Sequence, residues 1–258
     1  AQLSEHKGLG YSSALAQEVW RFRKKSGETA VARPTGPLRV NNGDAMLPCL
    51  LALDTSTDAL AVALCTPEGR WHLNEAGGPL ASTRLIPALA SLLQQAGIGW
   101  SQLQAIAYGQ GPGAFTGLRT ACAVAQGLAF AHGTPLLPID SLQIVAEDAR
   151  AQAPADDPVT NLWVAMDARM DEVYAAAYRH VAGPLADWHM AEPPRLWTLP
   201  ALADAWLAQP PAAVAGSACS AFGQRLPFGA ARQWPGTTHR AEALLRLAEE
   251  LPVVVLSD

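Results

Sequence analysis

No lysine follows Lys25 in this 258-residue chain, no two histidines stand four apart, and no two cysteines form a Cys-x-x-Cys pair. Each absence closes a class of function. Cys49, Cys65, Cys122 and Cys219 sit singly on apolar stretches, a pattern of buried free thiols rather than a disulfide framework or a zinc site. No run of eighteen apolar residues is available to span a bilayer, and the first twenty residues lack the apolar core of a secretory signal. The expected compartment is therefore the cytoplasm, with no membrane partner. From Met46 onward eleven arginines face nineteen carboxylates, a surplus of negative charge that repels a phosphate backbone and disfavours direct nucleic-acid binding.

What is present is a chain that is 50% hydrophobic and 16% charged, the composition of a globular protein long enough for one large or two small cores. Residues 1–45 hold all three lysines and many turn formers without lasting periodicity, and read as an extension without a core, with Met46 as the natural start of the folded unit. A first α/β lobe is expected over 46–150. It comprises a strand, Asp54 in a hydroxyl-rich turn and a returning strand; a helix over Ser82–Gln95; a strand over Leu103–Tyr108; a helix over Leu118–Ala131; a strand over Leu136–Ile139; and a helix capped by Ser141. AQAPADDP, 151–158, is a linker by composition. A second lobe over 159–258 begins by repeating the first. VAMDARMDEVYAA (164–176) aligns without a gap on LALDTSTDALAVA (51–63), matching Asp54 with Asp167 and Asp58 with Asp171 at an offset of 113 residues. That offset suits a duplicated domain rather than a solenoid. Beyond Val181 only a helix from Arg240 to Leu251 is legible; GPLADW, EPPRLWTLP and AQPPAA read as loops. Trp188, Trp197, Trp206 and Trp234 read as core packing in a small lobe.

Two motifs carry the chemistry. Gly109–Arg119, GQGPGAFTGLR, puts four glycines and a proline between a strand and a helix. Glycine serves there where φ is positive or another backbone comes close, and proline ends the strand ladder. A Walker loop needs Gly-Lys-Ser/Thr, and Gly117 is followed by Leu118 and Arg119. The second motif is the strand-Asp-turn-strand unit at 50–64. In the actin, sugar-kinase and Hsp70 superfamily such a unit approaches a nucleotide phosphate. Asp54, Thr55, Ser56 and Thr57 can equally satisfy turn amides with their own side chains. In the second copy Ala168, Arg169 and Met170 replace those hydroxyls.

In this order and about 55 residues apart, LLALDTSTDALAVAL, TRLIPALASLLQQAGI, LQAIAYGQGPGAFTGLRTACAVAQGLA and VAMDARMDEVYAAAY resemble the TsaB (YeaZ) family from about Leu50 to about Tyr178. The resemblance implies an actin-like ATPase, ribonuclease H-like α/β fold of two duplicated, degenerate lobes. It also implies a non-catalytic scaffold subunit that binds and activates a TsaD-type transferase for N6-threonylcarbamoylation of adenosine 37 in tRNAs reading ANN codons. A TsaE-type ATPase would be met through that complex, tRNA only indirectly, and no cofactor is expected. The catalytic relative holds metal through two histidines four apart on the helix matching Ser82–Gln95; this chain has none there, so no metal ligand is expected either. The competing reading is a metal-dependent endopeptidase or small-molecule kinase of the same fold, with Asp54 as the best catalytic candidate. Family members carry a proline and a Tyr-Leu-Arg segment after the last helix, where this chain reads LPVVVLSD.

The residues expected to act are therefore structural and interfacial. Asp54, Ser56, Gly111, Pro112, Gly113, Phe115, Thr116, Gly117 and Arg119 are expected to form a structural loop. Leu85, Leu89 and Leu92 on the first helix, with Ala121 and Ala125 on the second, are the candidate partner interface, because small residues at every fourth position let another helix approach closely. Packing against the lobe's own sheet would use the same spacing. A homodimer could form through the same face as the heterodimer.

Overall fold

The computed structural model describes residues 49–181 and 187–250. The 1–45 extension, Met46, the tail from Leu251 and most of the GPLADW loop lie outside the described residues. The elements run β1 (Leu50–Asp54), β2 (Ala59–Thr66), β3 (Gly69–Ala76), α1 (Ala81–Ala96), β4 (Ala105–Gly111), α2 (Phe115–His132), β5 (Leu136–Asp140) and α3 (Ser141–Gln152). They continue as β6 (Asn161–Asp167), β7 (Glu172–Val181), β8 (Asp187–Thr198), α4 (Leu199–Ala208), β9 (Ala213–Ala215), α5 (Ala218–Phe222), β10 (Arg232–Trp234) and α6 (Arg240–Glu250).

Both halves thus read βββαβαβα, and their sheets repeat one topology. The first has the order β3-β2-β1-β4-β5 and the second, from its opposite edge, β8-β7-β6-β9-β10. β1 pairs antiparallel with β2 and parallel with β4; β6 does the same with β7 and β9. The 113-residue offset in sequence is therefore a duplication of the whole unit, and the fold is actin-like. The second copy is reduced: α5 has 5 residues where α2 has 18, and β9 and β10 have 3 each.

Strand alternation sorts the core into layers. On β1 and β2, Leu51, Leu53, Leu60, Val62 and Leu64 face outward under α1 and α2. Leu50, Ala52, Ala61, Ala63 and Cys65 face the opposite way, into a central layer that contains α3 and α6. The alanines on that face leave room for helices to lie close to the sheet. The second sheet covers the other side of the central layer and packs its own outer face on α4 and α5.

The last helix of each half crosses this layer. α6 packs on β1 and β2 of the first sheet, and α3 reaches β6 and β7 of the second. A division at 150/159 therefore separates the two sheets but not their cores. Four expectations need correction. EPPRLWT is strand, part of β8, which tolerates Pro193 and Pro194 because it lies at the sheet edge, where a missing N–H breaks no interior ladder. TLPALADAWLA holds α4, with Thr198 accepting from the Ala201 amide and Pro200 in the first turn. Asp140, not Ser141, caps α3, its Oδ1 accepting from Leu142 N at 2.9 Å. Trp206 and Trp197 pack with Trp163 in the outer core of the second lobe, whereas Trp188 and Trp234 belong to the central layer.

Candidate functional site

β1 ends by burying Asp54, Thr55 and Ser56 beneath the glycine-rich loop. Asp54 closes its own turn, accepting from the Ser56 amide at 3.2 Å and the Ser56 hydroxyl at 3.1 Å. The loop then folds onto that turn. Ala114 N donates to Ser56 O at 2.7 Å, the Thr55 hydroxyl donates to Gly117 O at 2.6 Å, and Gly111 N donates to Ser141 Oγ at 3.0 Å. Close approach explains three of the glycines, and at Gly113 a Cβ would stand 2.4 Å from Ser56 O. A Cβ on Gly109 would stand 2.1 Å from Asp54 Oδ1, and one on Gly117 would stand 1.7 Å from Thr55 O. The amides of Gly111 and Ala114, which a phosphate-cradling loop would offer to its ligand, are taken by protein acceptors.

One residue of this cluster was not legible in the sequence. Arg240, the first residue of α6, is 1% exposed and donates through Nε to Asp54 Oδ2 and through Nη2 to Ser56 Oγ at 2.8 Å and Ser141 O at 3.3 Å. The available signal was its position. A cation in the first turn opposes the helix dipole, and the Asp54 carboxylate offsets that cost. The matching turn in the second copy is built differently. Asp167 Oδ1 accepts from Arg169 N at 2.8 Å, and Arg169, Met170 and Asp171 all adopt positive φ, leaving Met170 exposed at the tip.

Pro112, Gly113, Thr116 and Arg119 lie where the sequence put them, at the entry to α2, with the Arg119 guanidinium 3.9 Å from the Phe115 ring centroid. The five residues expected at the partner interface are turned inward. Leu85, Leu89, Leu92, Ala121 and Ala125 are all buried against the outer face of the first sheet. Their spacing recorded the helix face turned to its own strands. The opposite faces of the same two helices are open: Ile86, Pro87 and Ala90 on α1, and Phe115, Ala123, Gly127 and Phe130 on α2. Ile86 is 53%, Phe115 66% and Phe130 71% exposed. These are large apolar side chains beside small ones on two adjacent helices, a composition typical of contact surfaces.

The four cysteines are free, and burial pushes the Cys65 thiol up to about 12 and Cys219 to about 11, which leaves both unreactive. Among the described residues no three His, Cys, Asp or Glu side chains are grouped to hold a metal ion, and no helix is long and apolar enough to cross a membrane.

The comparisons with known proteins agree with this architecture. YeaZ from Pseudomonas aeruginosa superposes with a TM-score of 0.68 at 37% identity, over 78% of this chain and 90% of that one. The chain belongs to the TsaB (YeaZ) family. The tRNA threonylcarbamoyladenosine biosynthesis protein TsaB of Haemophilus influenzae is 42% identical over 125 residues, 48% of this chain and 51% of that relative. The Escherichia coli TsaB is 35% identical over 144 residues, 55% and 59% of the two chains. The matches thus span a little over half the length of these curated TsaB relatives. The family model for TsaD, described as tRNA N6-adenosine threonylcarbamoyltransferase, matches residues 80–192, from α1 into β8.

Proposed function

We propose that this chain is a cytoplasmic, non-catalytic scaffold subunit. It binds a TsaD-type transferase and holds it active for N6-threonylcarbamoylation of adenosine 37 in tRNAs that read ANN codons. The observation that carries this reading is the outward face of α1 and α2, where Ile86, Phe115 and Phe130 stand exposed beside Ala90, Ala123 and Gly127. Small residues between large ones allow two partner helices to pack at close range, making a four-helix contact. The state of the glycine loop supports a role without catalysis, because Asp54 is committed to Arg240 and the loop amides are committed to Ser56 and Ser141. A TsaE-type ATPase and tRNA are reached through the transferase, since the acidic body has little attraction for a phosphate backbone. The same face supports a homodimer in the absence of the transferase, because one apolar patch serves either contact.

The test is co-purification with a TsaD homologue and a tRNA-modification assay in which each subunit is omitted in turn. Modification should require this chain, and Ala123→Glu should abolish association while leaving the thermal midpoint of the isolated subunit unchanged. Full modification without this chain, or undiminished association of Ala123→Glu and Phe130→Ser, would overturn the reading.

A further inference from the structure

Asp54, Ser56, Ser141 and Arg240 form a buried polar cluster in the central layer, and none is more than 2% exposed. A buried guanidinium is tolerated only when paired and hydrogen-bonded. Here it meets a carboxylate oxygen of Asp54, the hydroxyl of Ser56 and the main-chain carbonyl of Ser141, three oxygens from two segments 85 or more residues apart in sequence. Nη1 is buried with no partner among the described residues, so the guanidinium is held through its other two nitrogens. Two of the three residues it grips also grip the glycine loop: Ser56 O accepts from Ala114 N, and Ser141 Oγ accepts from Gly111 N. Arg240 thus reaches the Asp54 turn and the start of α3 together, from a helix of the other half.

We propose that Asp54, Ser56 and Ser141 form a guanidinium-binding site which the chain fills with its own Arg240, and that this internal cation latches the glycine loop shut on the Asp54 turn. The latch holds whether or not the outer helical face has a partner. The planar fork of arginine matters, because its separate N–H groups engage three acceptors at once; a lysine ammonium in the same place carries the charge without that spread of donors. With the fork removed, Asp54 is left as a buried carboxylate without its cation. The cavity vacated by the side chain then has the size and acceptor set for a small free guanidinium.

The test uses the full chain carrying Arg240→Ala, with methylguanidinium as the probe and methylammonium at equal concentration as the ionic control. Millimolar methylguanidinium should raise the thermal midpoint of Arg240→Ala and leave that of the parent protein unchanged, while methylammonium should do neither. Hydrogen exchange at the Gly111 and Ala114 amides should be at least tenfold faster in Arg240→Ala and slow again with methylguanidinium. Arg240→Lys should resemble Arg240→Ala at these amides. Should Arg240→Ala fail to fold, the double variant Asp54→Asn/Arg240→Gln removes both charges; it should fold and still exchange fast at the two amides. Parent-like exchange in either variant, no rescue by methylguanidinium, or failure of the double variant to fold would each overturn the latch.

Discussion

The Tyr178 hydroxyl on β7 donates a 2.5 Å hydrogen bond to Asp140 Oδ2 at the end of β5, joining the two sheets through the central layer. Burial pushes the Asp140 carboxyl up, and the Tyr178 bond, the α3 amides and the Arg240 charge oppose that rise without cancelling it. A carboxyl raised in the folded state contributes stability that is complete below its unfolded value and is lost as pH rises through the folded one. Tyr178→Phe removes one of the opposing contributions and raises Asp140 further. The variant should lose about 1.5–3 kcal/mol at pH 7.5, the range for a hydrogen bond to a charged group. Urea midpoints at several pH values check it: the deficit should narrow as pH falls toward the usual carboxylate range.

Glu147 behaves with the opposite sign. Burial pushes its carboxyl up, but hydrogen bonds from Arg150 and Arg246, with the Trp188 indole N–H at 3.1 Å, outweigh burial and hold it below the usual range. Its stabilisation is therefore present above the unfolded carboxylate value and lost as pH falls through the folded one. Glu147→Gln should be less stable at pH 7 by about 1–3 kcal/mol, less than for a fully buried pair because both guanidinium groups are about a third exposed. Thermal midpoints of the two proteins should converge on acidification below the usual carboxylate range. A constant gap from pH 7 to pH 3.5 would contradict this assignment.

Leu89 and Ala125 should report on folding rather than on association. Leu89→Ala opens a cavity against the first sheet and is expected to lower stability by about 2–5 kcal/mol. Ala125→Glu forces a carboxylate into the same apolar layer, so its thermal midpoint should collapse. Calorimetry on the isolated subunit decides this. An unchanged midpoint for Ala125→Glu would return that residue to the outer face.

Two glycines of α2 should respond in opposite directions to the same change. At Gly117 an added methyl meets a backbone oxygen that cannot turn aside, so Gly117→Ala should lose more than about 2 kcal/mol. At Gly127 the added methyl meets nothing within 4 Å, and Gly127→Ala should gain up to about 1 kcal/mol through helix propensity. Denaturant unfolding of the pair separates close approach from chain flexibility. If the outer face is the transferase contact, Gly127→Ala should also weaken association while the fold gains.

Local pattern accounts for what was legible beforehand. The hairpins at Asp54 and Asp167, the helices around Leu85 and Ala121, and the glycine turn between strand and helix each follow from periodicity and turn chemistry within a few dozen residues. β8 was missed because Pro193 and Pro194 read as breakers, and only its place at the sheet edge makes them tolerable. α4 is masked in sequence by the prolines on either side of it, although Leu199, Leu202 and Trp206 recur on one face behind a Thr198 cap.

By itself the amino-acid sequence determined the duplicated α/β architecture, since strand and helix periods and the repeat of one hairpin are properties of neighbouring residues. Only the tertiary structure decided which helix face is buried. A stripe of leucines and alanines is equally suited to a sheet or to a partner, and the choice rests on where the strands lie. The same holds for Arg240. Its partner Asp54 is 186 positions away, and a buried ion pair at that separation exists only once α6 has crossed to the first sheet and brought cation and carboxylate together.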